Sequence, residues 1–128
     1  MTIDYATATD LLAAYGRAWA AFDGEAWVDL FSEDAEYHGD PFGAPLVGHN
    51  ALRAFLLDSA ARQRDVEFTV ERHWVSGSTM LAAWHASWVG QTDGMVVRVA
   101  GFLSADVAAD GLIDRFHEVW MRAPATTG

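Results

Sequence analysis

The sequence predicts an α+β domain in which three N-terminal helices cover the concave face of a curved, mostly antiparallel sheet. In the first half of the chain, apolar residues recur at spacings of three and four, as on a helix face. In the second half they follow strand periods, separated by the hairpin signals SGS, GQTDG and AADG. A curved sheet closed by helices forms a cone with a pocket inside it. The chain of 128 residues fits one domain, with its core at about residues 7–122.

The first half contains the predicted helices. The apolar residues Leu11, Leu12, Tyr15, Trp19 and Phe22 share one helix face. The pattern therefore predicts a helix over 7–22, with Thr7 or Thr9 as its cap and Gly24 just past its end. A short helix over 25–31, a short strand over 35–38 and a third helix over 50–64 follow.

The second half contains the predicted sheet. Strand patterns cover residues 66–75, 80–90, 95–107 and 112–122. Their order along the chain predicts an antiparallel meander. The last five residues, PATTG, are expected to form a frayed tail.

Composition excludes several classes of function. The 18 acidic residues exceed the eight basic residues, all arginine, and the net charge of −10 argues against nucleic-acid binding. The absence of lysine excludes Schiff-base chemistry, and the absence of cysteine excludes thiol nucleophiles and thiolate metal sites. The five histidines lack metal-ligand spacing, so neither a metal nor a cofactor is predicted. Without a signal-like N-terminus or a membrane-length apolar run, we expect a soluble cytoplasmic protein.

The segment AEYHGDPFGAPLVGH places a carboxylate directly before a proline among apolar residues. One interpretation of Asp40 is a turn residue, since Asp before Pro is common in turns. The other is a general base at a pocket rim, beside Phe42, where poor solvation would raise its pKa.

A second candidate carboxyl group lies in the last predicted strand. The period of two places Phe116, Glu118 and Trp120 on one face of this strand. If the aromatic pair faces the pocket, Glu118 is a buried carboxyl group. It would then be protonated, functional or paired with an arginine such as Arg98 or Arg115.

The order of elements and several motifs resemble the NTF2-like superfamily, which has a cystatin-like, cone-shaped fold. The motifs are LFSEDA, the DPFG that begins at Asp40, NALRAF and DGLIDRFHEVW. The resemblance is greatest to the ketosteroid isomerase and SnoaL-like polyketide cyclase branches, and it covers roughly Leu11 to Arg122. It also implies a homodimer formed through the outer face of the sheet.

The resemblance implies roles for individual residues. Asp40 takes the place of the general base of ketosteroid isomerases, and Tyr15 the place of the helix-one tyrosine that donates a hydrogen bond to the substrate oxygen. Tyr15 could instead be a core tyrosine bonded to a backbone carbonyl. The neutral carboxylic acid of that family would fall near Leu103, which is not an acid, so Glu118 could compensate. His38 is a candidate for a second acid or base beside Asp40.

The leading hypothesis is a cofactor-free acid/base enzyme acting on a small hydrophobic carbonyl compound. It would isomerise a double bond, or cyclise by an aldol reaction, through an enolate. The alternatives are a dehydratase or lyase that uses His38 with Asp40, an epoxide hydrolase, and a non-catalytic small-molecule-binding module. The predicted pocket residues are Trp19, Phe42, Phe55, Trp84, Trp88, Leu103, Phe116 and Trp120.

Overall fold

The computed structural model describes residues 2–127 and confirms the α+β fold class, with a curved sheet and covering helices. The elements are α1 (Tyr5–Ala21), α2 (Gly24–Val28), β1 (Phe31–His38), β2 (Leu46–Val47), α3 (His49–Arg62), β3 (Gln63–Ser76), β4 (Thr79–Gly90), β5 (Met95–Val107), β6 (Ile113–Arg122) and β7 (Thr126–Thr127). All helices precede the meander β3–β6, as the two halves of the sequence predict.

The helix boundaries differ from the predicted ones because aspartates cap the first two helices. Helix α1 begins two residues early, where the carboxylate of Asp4 accepts a hydrogen bond from the Thr7 amide at 2.7 Å. It ends at Ala21, and the C-cap residue Phe22 adopts a left-handed conformation with φ of 49°. Asp23 caps α2 in the same way, so Gly24 begins a helix instead of ending one.

Three segments that were not predicted as strands extend the sheet, and the first of them is β2, which pairs with β1. Strand β1 begins at Phe31, within the predicted second helix. The Phe31 side chain is fully buried, and Phe31 pairs with Ile113 of β6. The tail pairs with β5 through Thr126 and Thr127, so the expectation of a frayed end is wrong there.

The sheet order places the centre of β6 beside β1. The order is β2-β1-β6-β5-β4-β3, with β7 alongside β5, and every pairing is antiparallel except β1 with β6. In this register Tyr37 lies beside Phe116, and Leu103 lies opposite Glu118. Side chains from β1 and β6 therefore meet on the face that the helices cover.

Stacked aromatic rings join α1 to the sheet. The Phe116 ring is 1% exposed and stacks on the rings of Tyr15 and Tyr37, with centroid distances of 5.3 and 4.8 Å. Offset-stacked pairs of this kind add stability beyond the burial of their area. The stack fixes where the two phenol hydroxyls lie, and it forms the floor of the site described below.

The outer face of the sheet is exposed and partly apolar. Phe102, Val119 and Met121 keep much of their side-chain surface in solvent. The homodimer across this face stays a prediction. None of the helices within residues 2–127 combines the length and the apolar character needed to cross a membrane.

Candidate active site

A cavity of about 80 Å³ lies between the helices and the concave face of the sheet. Its lining is mostly aromatic and, within the described residues 2–127, includes one carboxylic acid and no basic side chain. The lining residues are Tyr15, Trp19, Trp27, Tyr37, Phe55, Leu56, Ser59, Gln63, Trp84, Trp88, Val99, Glu118 and Trp120. Such a lining suits a small, uncharged, hydrophobic ligand.

A chain of three polar groups crosses the floor of the cavity. The Tyr37 hydroxyl donates to Oε1 of Glu118 at 2.9 Å, and the Tyr15 and Tyr37 hydroxyls lie 3.4 Å apart. An ionised carboxylate only accepts hydrogen bonds, so the single proton of Tyr37 is used by Glu118. Tyr15 must then be the donor to Tyr37, and its long bond leaves the Tyr15 hydroxyl free to turn to a ligand oxygen.

Burial sets the protonation of this network. Desolvation raises the pKa of Glu118 from 4.5 to about 7, although the hydrogen bond from Tyr37 opposes this shift. Desolvation, and then the nearby Glu118 charge, raise the pKa of both Tyr15 and Tyr37 well above 10. Near neutral pH the phenols therefore keep their protons, while Glu118 populates both its protonated and its ionised form.

Strand periodicity explains why these groups meet. In β1, Ala35 and Tyr37 face the core, and in β6 Phe116 and Glu118 face the same space. A Cβ atom at Gly39 would lie 3.0 Å from the Tyr37 ring and 3.6 Å from Glu118 Oε1. The chain after β1 therefore passes directly over this hydrogen bond, which glycine permits.

Two further polar residues line the cavity near the end of α3. Ser59 and Gln63 are 5% and 8% exposed, and the indole N–H of Trp19 donates to Oε1 of Gln63 at 3.0 Å. The buried indole nitrogens of Trp27 and Trp84 have no hydrogen-bond partner among residues 2–127. Ser59 and Gln63 thus add a hydroxyl and an amide to the polar groups of the cavity lining.

The expectation that Asp40 and Phe42 face the cavity is wrong. Asp40 is exposed and accepts a hydrogen bond from the Phe42 amide at 2.9 Å, and Phe42 is itself 98% exposed. The inward positions of β1 are Ala35 and Tyr37, and the next one is Gly39. Asp40 therefore falls on the opposite side, beyond the end of the strand, as a turn residue.

His38 also faces away from the cavity, because it alternates with Tyr37. Its Nε2 lies 3.0 Å from Oε1 of Glu36, and its ring stacks on that of His117 at 4.1 Å. The pairing of His38 with Asp40, on which the dehydratase alternative rests, is not found.

The other predicted site residues divide into two groups. The structure places Tyr15, Trp19, Phe55, Trp84, Trp88, Glu118 and Trp120 in the cavity wall. Leu103 and Phe116 were expected to line the cavity, but they are buried in the core beneath it. The chief omissions from the sequence-based set are Tyr37 and Gln63. Alternation along β1 could have indicated Tyr37, whereas the helix–strand junction gives no such signal for Gln63.

Metal binding finds no support in the arrangement of ligand-type side chains. Within residues 2–127, no group of three or more His, Cys, Asp or Glu side chains is placed to hold an ion. The polar groups in the cavity are a carboxyl, hydroxyls, an amide and indole N–H groups. They can exchange a proton and hydrogen-bond the oxygen of a neutral ligand.

Removing the Tyr37 hydroxyl should raise the pKa of Glu118 further. In Tyr37→Phe the carboxylate loses the hydrogen bond that now favours its charged form, while the aromatic ring remains. NMR titration of the Glu118 side-chain carbon should show a midpoint above that of the native protein. An unchanged or lower midpoint would mean that the Tyr37–Glu118 bond does not form in solution.

Several solved structures share this fold. An epoxide hydrolase/cyclase-like enzyme, SalBIII, which takes part in pyran ring formation in the polyether salinomycin, is 18% identical with a TM-score of 0.82, covering 98% of each chain. The Δ5-3-ketosteroid isomerase of Mycobacterium sp. is 19% identical with a TM-score of 0.74, covering 91% of this chain and 98% of that one. A protein of ketosteroid isomerase-like fold from Catenulispora acidiphila, in complex with trimethylamine, is 15% identical with a TM-score of 0.78, covering 86% and 84%.

The sequence itself identifies the family. No curated protein sequence matches the chain significantly. The family model of the SnoaL-like domain matches residues 12–116, from the first helix to the aromatic stack in β6. The chain therefore belongs to the SnoaL-like domain family, within the NTF2-like superfamily that includes the ketosteroid isomerases.

Proposed function

We propose that the protein is a cofactor-independent acid/base enzyme that moves a proton on a small, neutral, hydrophobic carbonyl compound. Glu118 is the proton-transfer group, and Tyr15 is the hydrogen-bond donor to the carbonyl oxygen. The reaction forms an enolate and ends in double-bond isomerisation or aldol cyclisation. Structural neighbours of the same fold include isomerase and cyclase-like enzymes, which supports an enzymatic role.

The position of Glu118 carries this proposal. Of the residues that the structure describes, it is the one carboxylic acid in the cavity lining, and its pKa of about 7 matches that of a base working near neutral pH. Asp40, the base that the family resemblance implies, lies in solvent outside the cavity. The proposal therefore moves the base from the loop after β1 to the centre of β6.

The proposed reaction keeps protons in balance. The Glu118 carboxylate takes the proton from the carbon next to the carbonyl, and the electron pair moves to the carbonyl oxygen. Tyr15 donates a hydrogen bond to this oxygen, in a cavity with little water to compete. In the isomerisation, protonated Glu118 then returns the proton to another carbon of the substrate. In the cyclisation, the enolate carbon attacks a second carbonyl carbon of the same substrate, and Glu118 gives its proton to the oxygen of that carbonyl. Tyr37 holds the carboxyl group in place throughout.

Cavity size and charge limit the substrate. A cavity of roughly 150 Å³ is needed to hold benzene, whereas this one measures about 80 Å³. A steroid therefore does not fit the cavity as it stands. Trp120 lines the cavity and is 43% exposed, so part of a ligand can extend past it into solvent. We expect a substrate of one small ring or a short chain.

The pH dependence of enolisation tests the proposal. Exchange of α-protons for deuterium in D₂O, followed by NMR, reports the first step for enones, cyclic ketones and polyketide-like esters. Only ionised Glu118 can act as a base, so the exchange rate should rise with pH through about 7 and then level off. In Tyr37→Phe the rise should move to higher pH. Exchange without this rise would mean that Glu118 is not the base. Tight binding with no exchange across the panel would favour a non-catalytic binding module.

A further inference from the structure

The side-chain amide of Gln63 is a buried polar group with an unused donor end. Gln63 opens β3 directly after α3, lines the cavity and is 8% exposed. The indole N–H of Trp19 can only donate, so the amide atom it meets at 3.0 Å must be the oxygen. This bond fixes the orientation of the amide and directs its NH₂ group away from the indole. Within residues 2–127 this nitrogen has no hydrogen-bond partner.

An open donor in such a position indicates a place for a ligand atom. Buried polar groups almost always have a partner in folded proteins. The nitrogen is not fully enclosed by protein, unlike the unpartnered indole nitrogens of Trp27 and Trp84. An acceptor oxygen on a ligand in the cavity would complete its hydrogen bonding.

Charge determines which acceptor this would be. Among residues 2–127 the cavity lining contains Glu118 and no basic residue, and the whole chain carries a net charge of −10. The Arg122 guanidinium lies outside the lining, 5.9 Å from the centroid of the Trp88 ring. A carboxylate or phosphate ligand inside the cavity would meet the like charge of Glu118 and no counter-ion in the lining. A neutral carbonyl oxygen, of a ketone or an ester, satisfies the amide donor without this cost.

We propose that Gln63 recognises a second, neutral carbonyl group of the substrate, distant from the carbonyl at which the proton moves. The natural substrate is then a small neutral dicarbonyl compound. This assignment rests on the proposed function, which places the reacting carbonyl at Tyr15 and Glu118. Gln63 is a specificity residue, and Trp19 is a positioning residue that holds its amide in the binding orientation.

Two probes of nearly identical shape test this inference. In hexane-2,5-dione both ends of a short chain are methyl ketones, whereas in 5-methylhex-5-en-2-one a CH₂ group replaces one ketone oxygen. Quenching of tryptophan fluorescence gives the dissociation constants, because four tryptophans line the cavity besides Trp120. The native protein should bind the diketone about tenfold more tightly, the effect of one satisfied hydrogen bond.

Variants of the amide and of its support give the controls. The Gln63→Met variant should bind the two probes about equally well. Its affinity for the isopropenyl probe should differ from that of the native protein by less than about threefold. In Trp19→Phe the preference should fall in part, because the ring remains but the amide can rotate. Circular dichroism and thermal melting establish that each variant is folded.

Each outcome decides for or against the inference. A native preference near onefold, failure of both probes to bind, or a tenfold preference retained in Gln63→Met would overturn it. If Gln63→Met does not fold, the deciding variant is Trp19→Phe. A tenfold preference for the diketone that is fully retained in Trp19→Phe would then overturn the inference. Glu118→Gln separates the two proposals, since it should stop α-proton exchange and keep the tenfold preference. If Glu118→Gln exchanges normally while Gln63→Met loses the preference, the proposed chemistry is wrong and the role of Gln63 stands.

Discussion

Replacing Glu118 with glutamine is expected to lower the rate of α-proton exchange, and kcat/KM on the true substrate, by roughly 10²–10⁴-fold. Glutamine has nearly the shape of protonated glutamate and can still accept the hydrogen bond from Tyr37. It cannot take up a proton at neutral pH, so only the acid/base step is lost. Binding of the diketone probe should change little, which separates a chemical defect from a structural one. The measurement is the exchange rate of folded variant and native protein at pH 8.

Asp40→Asn is the matched control, because it makes the same chemical change outside the cavity. The Asp40 side chain accepts a hydrogen bond from the Phe42 amide, and an asparagine oxygen can accept it equally well. We therefore expect native exchange rates from Asp40→Asn. The opposite result, with activity lost in Asp40→Asn and kept in Glu118→Gln, would restore Asp40 as the base. The loop after β1 would then have to move into the cavity during the reaction.

Strand periodicity correctly predicted which residues of β6 face the cavity, because this periodicity depends on local geometry alone. In β6, Glu118 and Trp120 are two residues apart and both reach the cavity. The fold class could be predicted for a similar reason, since the helical and strand periods occupy separate halves of the chain. The same period correctly places Phe116 on this face. It does not predict that Phe116 lies below the cavity, stacked on two tyrosines.

Asp40 shows where prediction by motif fails. The Asp-Pro pair resembles the family motif, but the resemblance alone does not fix the phase of the preceding strand. Alternation from Ala35 through Tyr37 reaches Gly39, one residue before the carboxylate. A single-residue difference in phase moves a side chain to the other face of a strand. The strand also ends at His38, so no sheet pairing holds Asp40 toward the interior.

Tyr37 and Gln63 depend on contacts between distant parts of the chain. Tyr37 matters because parallel pairing of β1 with β6 places its hydroxyl 2.9 Å from Glu118, 81 positions later in the sequence. Gln63, at the start of β3, matters because Trp19, on helix α1, donates to its amide. Residue type and spacing could not predict these pairings, because the sequence order leaves β1 free to pair with several strands.

The same burial that prepares Glu118 for proton transfer is expected to destabilise the fold at high pH. A carboxyl group enclosed by aromatic rings is poorly solvated when charged, which is why its pKa rises from 4.5 to about 7. Between these pH values the folded protein binds more protons than the unfolded chain, so this contribution to stability decreases as pH increases. It is fully present below pH 4.5 and is lost by the time pH has passed about 7.

Glu118→Gln should therefore be more stable than the native protein at pH 8.5, by up to about 3 kcal/mol, and nearly equal to it at pH 4.5. The glutamine side chain does not ionise, while all other titrating groups are common to both proteins and cancel in the difference. Urea unfolding at a series of pH values gives the free energies of unfolding, with Asp40→Asn expected to follow the native protein within about 0.5 kcal/mol at each pH. A difference that stays constant with pH, or that favours the native protein at pH 8.5, would mean that Glu118 is well solvated or paired with a cation. The buried carboxyl group would then no longer support the proposed chemistry, because desolvation is what gives it a pKa near neutrality.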